Sequence, residues 1–512
     1  MTTRVPEAGE STPRTGAATV DPAAGRRAGT AHGWLLPALV GLGASVLGFL
    51  GSWVPSGWGD EAATLSAATR GWAGLGRLLE NMDAVHGVYY GVLHLWLDVW
   101  GPSLLAARAL SAVAVGVMAA GVVVLGRQLG GARLGLLAGV VVAVLPRTTW
   151  LATEARSGAL VSAVAVWATV VLVTALRRGG WRWWAGYAVL VGIGVSLWVF
   201  LGLLVVAHAV TVLLARPGRR ALTRFVVAAA AGGVLAAPVL LRSAGQSGQV
   251  SWIPELGLRT VRGVVVDQAF GTDGVLSLPL ALVCWAAVAW VLVRTVRAAR
   301  GPAGLSTVVV AAPWLVLPTL GVLAYSLVSS PMYTPKYLAF SVPALALLVG
   351  EALTYLRTRA QVVAALVLVA LLAVPSYVAE RRTAGKDTSD WAPAVRFLAG
   401  SARAGDAVVF TEMLGVASSA RAIAVTYPGA FADLDDPTRL PTADADGELW
   451  DRTSAVEDVR DELLAESRVW LVTDRALVED APERTALEEL GFVATDEWRG
   501  SDTAVVLLER AG

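Results

Sequence analysis

The sequence predicts a polytopic α-helical membrane protein with interfacial helices in its first outer loop and a C-terminal extracytoplasmic α/β domain. Three observations predict this class. Hydrophobic residues make up 55% of the 512 residues, mean hydropathy is +0.61, and apolar runs long enough to cross a bilayer recur. Arginines cluster in short acid-free loops between alternate apolar runs. From Lys386 onward the chain changes character, with 26 acidic and 12 basic residues. The net charge of +1 therefore averages a basic membrane part and an acidic tail. Bases in short membrane loops mark the cytoplasmic side, so the charge gives no reason to invoke nucleic acid. The one cysteine, Cys284, lies in an apolar run, which excludes an internal disulfide framework.

Residues 1–31 are rich in Pro, Gly, Ala, Thr and Arg without periodicity and read as a disordered cytoplasmic tail. The first span is expected from Trp34 to Val54, uncleaved, which argues against a secretory signal peptide. With Arg26 and Arg27 inside, this span exits outward and residues 55–102 form the first outer loop. There Leu65, Trp72, Leu75 and Leu79 share a helical face, as in a helix lying in the interface, and Trp96 and Trp100 suit the same boundary.

Ten further spans are expected near 104–126, 132–146, 157–176, 183–197, 199–215, 222–242, 276–296, 305–328, 337–356 and 360–378. Loops with Arg127/Arg133, Arg177/Arg178/Arg182, Arg216/Arg219/Arg220/Arg224, Arg294/Arg297/Arg300 and Arg357/Arg359 then fall on the inner side. Splitting 183–215 into two short spans preserves that alternation. About eleven spans divide the chain into the tail, a transmembrane domain over 32–379 and an extracytoplasmic domain over 380–512. In the last of these, Val408–Phe410, Ile423–Tyr427, Val469–Thr473 and Val505–Leu508 read as buried strands. Helical patterns lie at 391–402, 455–466 and 483–490, so a small α/β domain with a partly parallel sheet is expected.

The chemistry gathers on the outer side. Asp60 and Glu61 open the first outer loop. A carboxylate at the membrane interface is costly to dehydrate, and one that removes a proton from an attacking hydroxyl is a reason to keep it. The same pair could instead cap and polarise a helix N-terminus. Asp83, His86, Tyr90 and His94 lie at offsets that place them on one helical face, with Tyr89 beside them. They read as a substrate-binding face, or as an interfacial helix with amphipathic aromatics. Asp and His are also ligand types that a divalent ion accepts, but the two histidines are about 12 Å apart at about 1.5 Å per helical residue, and no metal site is assigned.

Glu154-Ala155-Arg156 precedes a later span on the same side, where an arginine can hold a phosphate in bidentate fashion or simply anchor the loop. Lys336-Tyr337 opens another span there. A lysine at an outer helix end runs against the positive-inside trend, and it can act as a point charge on phosphate. Gln246, Gln249, Ser251 and Trp252 make a polar, aromatic loop suited to a sugar, with Arg242 and Glu255 at its edges. His208 sits mid-span and reads as a helix-packing hydrogen bonder.

In order along the chain, Asp60-Glu61, then Asp83-x-x-His86 with Tyr89-Tyr90, then Glu154-Ala155-Arg156, then Lys336-Tyr337 resembles the GT-C glycosyltransferases. More narrowly it resembles the branch using polyprenyl-phosphate sugars, including protein O-mannosyltransferases, the aminoarabinose transferases of lipid A and actinobacterial mannosyltransferases. Residues 59–110 and 147–160 carry most of the likeness. The resemblance implies that Asp60 is the general base, that Arg156 and Lys336 contact phosphate, and that amphipathic helices over 62–79 and 83–100 lie on the membrane. The chain departs where the protein O-mannosyltransferases have His-Pro-Pro (His86-Gly87-Val88 here), where relatives have Arg-Tyr (Lys336-Tyr337), and where a Tyr follows Glu-Ala-Arg-x (Gly158).

The expected activity is inverting transfer of a sugar, mannose on this reading, from a polyprenyl-phosphate donor to a hydroxyl on a lipid, glycan or protein acceptor. It would take place at the outer face of the plasma membrane. Glu61, Asp83, His86, Tyr89, Tyr90, Glu154, Gln249, Trp252 and Tyr337 would bind or orient substrate, and no cofactor is needed. An arabinosyl or other cell-wall sugar transferase of the same fold is the alternative. A lipid or polysaccharide transporter or an inactive scaffold is the alternative of another class, although the chain lacks clear repeats and midplane charges.

Overall fold

A computed structural model describes residues 2, 22–246, 252–272, 274–298, 304–411 and 420–511. The chain opens with α1 (Pro22–Phe49), whose apolar part is Gly33–Phe49. It therefore starts and stops earlier than the expected first span, and residues 22–31 are helical. The first loop carries three helices, α2 (Gly59–Ala68), α3 (Trp72–Asn81) and α4 (Gly87–Trp100). Then come α5 (Leu104–Gly130), α6 (Ala132–Val144), α7 (Pro146–Ala152) and α8 (Gly158–Arg178).

Every expected span coincides with a helix, but they are not equal. Seven are long and apolar enough to cross a membrane, and an eighth is the pair α6 and α7, bent by 65° at Leu145. Gly33–Phe49, Trp181–Leu197 and Val199–Ala215 are shorter. The break between the last two falls at Trp198, whose extended backbone ends one helix before a 3-10 turn starts the next. Residues 183–215 are thus two helices, as the arginine alternation requires.

Local chemistry sets these limits. The Ser103 side chain accepts from Ala106 N to start α5, and Gly131, at φ +91°, ends it. Helix α1 packs on α5 through Gly41 and Gly116. A Cβ on Gly41 would lie 2.7 Å from the Gly116 carbonyl, so only small residues let these backbones meet. The core between them is built from Leu, Val and Ala of α5, α6 and α8 and of the Pro335–Thr354 helix.

The C-terminal domain holds a four-stranded sheet. Its strands are β1 (Ala407–Phe410), a short pair β2 (Arg439–Leu440) and β3 (Arg452–Thr453) set apart from it, β4 (Arg468–Asp474), β5 (Phe492–Arg499) and β6 (Thr503–Arg510). The sheet order is β1-β4-β6-β5, with β1 parallel to β4 and the other pairings antiparallel, so the sheet is partly parallel as expected. One expected strand is a helix. Ala422–Thr426 closes a helical turn, with Thr426 Oγ1 donating to the Ala422 carbonyl. A five-residue apolar run has no periodicity of its own, and tertiary packing decides its state. Here Thr426 lies over Gly57, where a Cβ would come within 2.4 Å of the threonine methyl. Strand β5 was not anticipated because its half-exposed, charge-bearing sequence lacks an apolar run.

Candidate active site

Asp60 and Glu61 sit in the first turn of α2, but neither serves as its cap. The N-cap is Trp58, and no side chain hydrogen-bonds there. The two carboxylates diverge. Glu61 is fully buried and takes Arg108 in bidentate fashion, Nε to Oε1 at 2.8 Å and Nη2 to Oε2 at 2.5 Å. Its Oε1 also accepts from Ala155 N at 2.9 Å. Arg108 spends its remaining donors on the carbonyls of Ser52, Pro55 and Ser56. Glu61 is thereby a structural clamp joining the first loop, α5 and the 154–156 turn.

Asp60 faces the other way, its side chain 33% exposed. Lys336 Nζ donates to its Oδ2 at 3.0 Å, and Arg156 Nη2 lies 3.6 Å from its Oδ1. Burial alone would raise this carboxyl, but Arg156 and Lys336 outweigh it and hold it at about 2. Lys336 is itself boxed by indoles, 4.8 Å above the Trp58 ring and 5.8 Å from that of Trp252.

Arg156 organises the next layer. Its Nη1 donates to the Asp60 carbonyl, Thr64 Oγ1 and Tyr90 OH, and its Nη2 meets His86 Nε2 at 3.3 Å. Tyr90 passes the chain of hydrogen bonds to Asp83 Oδ2 at 2.8 Å. Burial, reinforced by Arg156, pushes the His86 imidazole down to about 4, so near neutrality it is an uncharged acceptor. His86 stacks on Trp198, which donates to the Tyr337 carbonyl, and Tyr337 packs against Trp198 and Phe200.

The expected common helical face for Asp83, His86, Tyr90 and His94 is not formed. Asp83 adopts a left-handed conformation, at φ 56°, ahead of a 3-10 turn, so α4 begins only at Gly87. Asp83, His86 and Tyr90 still converge on Arg156, while His94 turns to the Ala68 carbonyl and Trp72. The expected single helix over 62–79 is likewise two helices, broken at 69–71. No group of three or more His, Cys, Asp or Glu is placed to hold a metal among the described residues.

Tyr89, on α4, is fully buried and does not face the open site. Glu154 does not face the open site. It is buried, and Trp58 Nε1 and Lys386 Nζ donate to its two oxygens at 2.8 and 2.7 Å. Gln249 and Ser251 lie outside the described residues. Gln246 braces the Asp83 turn through Ala84 N and the Leu79 carbonyl. Arg242 and Glu255 are exposed and make no contact with Asp60. His208 is buried between Thr169 and Tyr187, as a packing hydrogen bonder would be.

Several residues of this assembly escaped sequence reading. Arg108 had a signal, a lone charge just inside an apolar span. Lys386 had one too, as the other of only two lysines among 41 basic residues. Trp58, Trp198 and Phe200 had none, because aromatic residues are ordinary at a membrane boundary.

A helical membrane bundle whose first loop folds back as short helices over a charged site, with a sheet-containing C-terminal domain beside it, is the GT-C fold. A family model described as dolichyl-phosphate-mannose-protein mannosyltransferase matches residues 88–241. The structure is similar to ArnT from Cupriavidus metallidurans bound to undecaprenyl phosphate, with TM-score 0.58 and 15% identity over 93% of this chain and 98% of that one. ArnT from the same organism in the apo state matches at TM-score 0.58, 14% identity and the same coverage. The arabinofuranosyltransferase AftD from Mycobacteria matches at TM-score 0.52 and 17% identity, over 93% of this chain and 40% of that one. No curated protein matches the sequence.

Proposed function

We propose that this protein transfers a sugar, mannose in the leading reading, from a polyprenyl-phosphate donor to a hydroxyl acceptor at the outer face of the plasma membrane. The observation that carries the reading is Asp60 held between Lys336 and Arg156, a carboxylate and two cations at the ends of apolar helices. Asp60 acts as general base. It takes the acceptor proton as the acceptor oxygen bonds to the sugar's anomeric carbon. The bond from that carbon to the phosphate oxygen breaks, its electron pair leaves with polyprenyl phosphate, and a single displacement inverts the centre. Lys336 and Arg156 supply positive charge where the leaving phosphate develops its own. His86, Tyr90 and Asp83 keep Arg156 in place, and Trp252 and Tyr337 shape the surroundings of sugar and acceptor. The match to the dolichyl-phosphate-mannose family model supports mannose. The likeness to AftD keeps an arabinofuranosyl donor as the second reading.

The test is transfer of labelled sugar by purified full-length protein, with polyprenyl-phosphate mannose and polyprenyl-phosphate arabinofuranose offered in parallel. Asp60→Asn is expected to lose about 10²- to 10⁴-fold in rate while folding normally. Full activity in that variant overturns the role of Asp60. Absence of transfer from either donor by the wild type, with every acceptor class supplied, favours a transporter or scaffold.

A further inference from the structure

One short segment touches both halves of the Asp60–Lys336 pair, and it is held from outside the helical bundle. Trp58 precedes Asp60 by two residues. Its carbonyl accepts from Glu61 N and Ala62 N, each at 2.9 Å, so it closes the first turn of α2, from which Asp60 projects. Its indole ring lies against the Lys336 ammonium, with Nζ 4.8 Å from the ring centre. A lysine ammonium rides on a flexible four-carbon stem, and an aromatic face beside it restricts where the charge settles. With the Trp252 ring at 5.8 Å, Lys336 is bounded by two indoles and by Asp60 Oδ2.

The indole is itself fixed by the C-terminal part of the chain. Its Nε1 donates to Glu154 Oε1 at 2.8 Å, and Lys386 holds the other oxygen of that carboxylate at 2.7 Å. The backbone just before it is held on both sides. Gly57 N donates to Tyr427 OH at 2.8 Å, and Ser389 Oγ donates to the Gly57 carbonyl at 2.6 Å. Ser56 N donates to the Thr383 carbonyl at 2.8 Å, and Ser56 Oγ accepts from Ala392 N at 3.2 Å. Thr383, Lys386, Ser389, Ala392 and Tyr427 all follow the last apolar helix, Arg359–Ala379. Ser56 and Gly57 are buried, so these bonds are shielded from water and costly to leave unmade.

We infer that Trp58 is a positioning residue for both members of the Asp60–Lys336 pair, and that the C-terminal domain sets the pair through it. The Trp58 ring places the Lys336 ammonium, and the Trp58 carbonyl starts the helix that presents Asp60. The domain fixes the ring through Lys386 and Glu154, and the backbone through Ser56 and Gly57. The site is therefore incomplete without that domain, although none of the domain's described residues hydrogen-bonds to Asp60 or Lys336. The inference rests on the reaction proposed above for its kinetic readout.

The test is steady-state sugar transfer by the full-length chain, with unfolding midpoints of the same preparations. Leucine and phenylalanine both lose the indole N–H, but only phenylalanine keeps a ring face for the ammonium. Trp58→Leu is expected to lower kcat/KM about 10- to 100-fold, and Trp58→Phe only severalfold. In a Lys336→Met background Trp58→Leu is expected to cost little more, because the ring then has no ammonium to place. Ser389→Ala with Tyr427→Phe is expected to cost about tenfold, and Trp58→Leu added to that pair to cost less than it does alone. Trp58→Met replaces Trp58→Leu if the latter fails to fold. Equal losses in Trp58→Leu and Trp58→Phe overturn the inference, because they assign the whole effect to the Glu154 hydrogen bond. Losses from Trp58→Leu and Lys336→Met that multiply in full also overturn it. A wild type that transfers no sugar sinks the proposed reaction, and the same pair is then read in unfolding midpoints. There, a joint loss smaller than the sum of the two supports the inference, and a joint loss equal to the sum overturns it.

Discussion

Lys336 Nζ and Asp60 Oδ2 lie 3.0 Å apart although 276 residues separate them in the chain. This contact ties the start of the Pro335–Thr354 helix to the first loop, and together with Arg156 it holds the proposed base ionised. With its carboxyl held at about 2, Asp60 is ionised across the working range, and its own acid limb lies below pH 4. In Lys336→Met, burial remains while one cation is lost, so the limb moves upward. A pH–rate profile of sugar transfer checks this, the expected result being a raised acid limb with a lower plateau. An unchanged limb assigns the plateau to another group.

Glu61 and Arg108 are 0% and 1% exposed and pair at 2.5 Å. Arg108→Met leaves a carboxylate buried without its cation and is expected to cost about 3–5 kcal/mol of stability. The double variant Glu61→Gln with Arg108→Met removes both charges and is expected to recover much of the loss. Thermal unfolding of the full chain in detergent measures both.

Lys386 carries the C-terminal domain into the site. It holds Glu154, two residues before Arg156, and the Glu154 backbone carbonyl accepts from Ser111 Oγ at 2.5 Å. Burial pushes the Glu154 carboxyl up, against the pull of Lys386. Lys386→Met is expected to loosen the 154–156 turn and reduce kcat/KM about tenfold or more, as displaced catalytic groups do. Adding Glu154→Gln should restore part of it by removing the stranded charge. A steady-state comparison of the two variants decides.

Glu380 predicts a pH-dependent stability. Its carboxyl, ordinarily at 4.5, is raised by burial to about 7, so the folded chain binds this proton more tightly than the unfolded one. The stabilisation is complete below pH 4.5 and is lost as pH rises through 7, about 3 kcal/mol over that window at about 1.4 kcal/mol per unit. Glu380→Gln is expected to flatten this slope, read from unfolding midpoints between pH 4.5 and 8.

Much of this was legible because membrane constraints are strong. Apolar length and arginine alternation placed segments 55–102, 147–156, 243–275, 329–336 and 380 onward on one side of the bundle. The contacts of Asp60, Arg156, Trp252, Lys336 and Lys386 bring those segments together. What stayed hidden was the division of labour between adjacent residues. Asp60 and Glu61 look alike in sequence, and only the direction of each side chain from α2 makes one reach the open site and the other Arg108. Glu154 and Arg156 part in the same way. The Asp83 turn was misread because helical offsets assume a helix, and a left-handed residue at its start resets the phase. The break at Trp198 is legible in the arginine alternation, whereas α7 beyond the bend at Leu145 is not, because seven residues carry too little periodicity.

Basic residues in this chain are almost all arginine, and the two lysines stand 50 positions apart on either side of one site. Their surroundings differ sharply. Lys336 is 26% exposed beside Asp60, whereas the Lys386 side chain is 1% exposed against Glu154. Side-chain amine chemistry on the folded protein therefore has a single open address. Among side chains, a reagent that acylates amines would modify Lys336 almost alone, and protection of that lysine would follow occupancy of the site in unlabelled, wild-type protein.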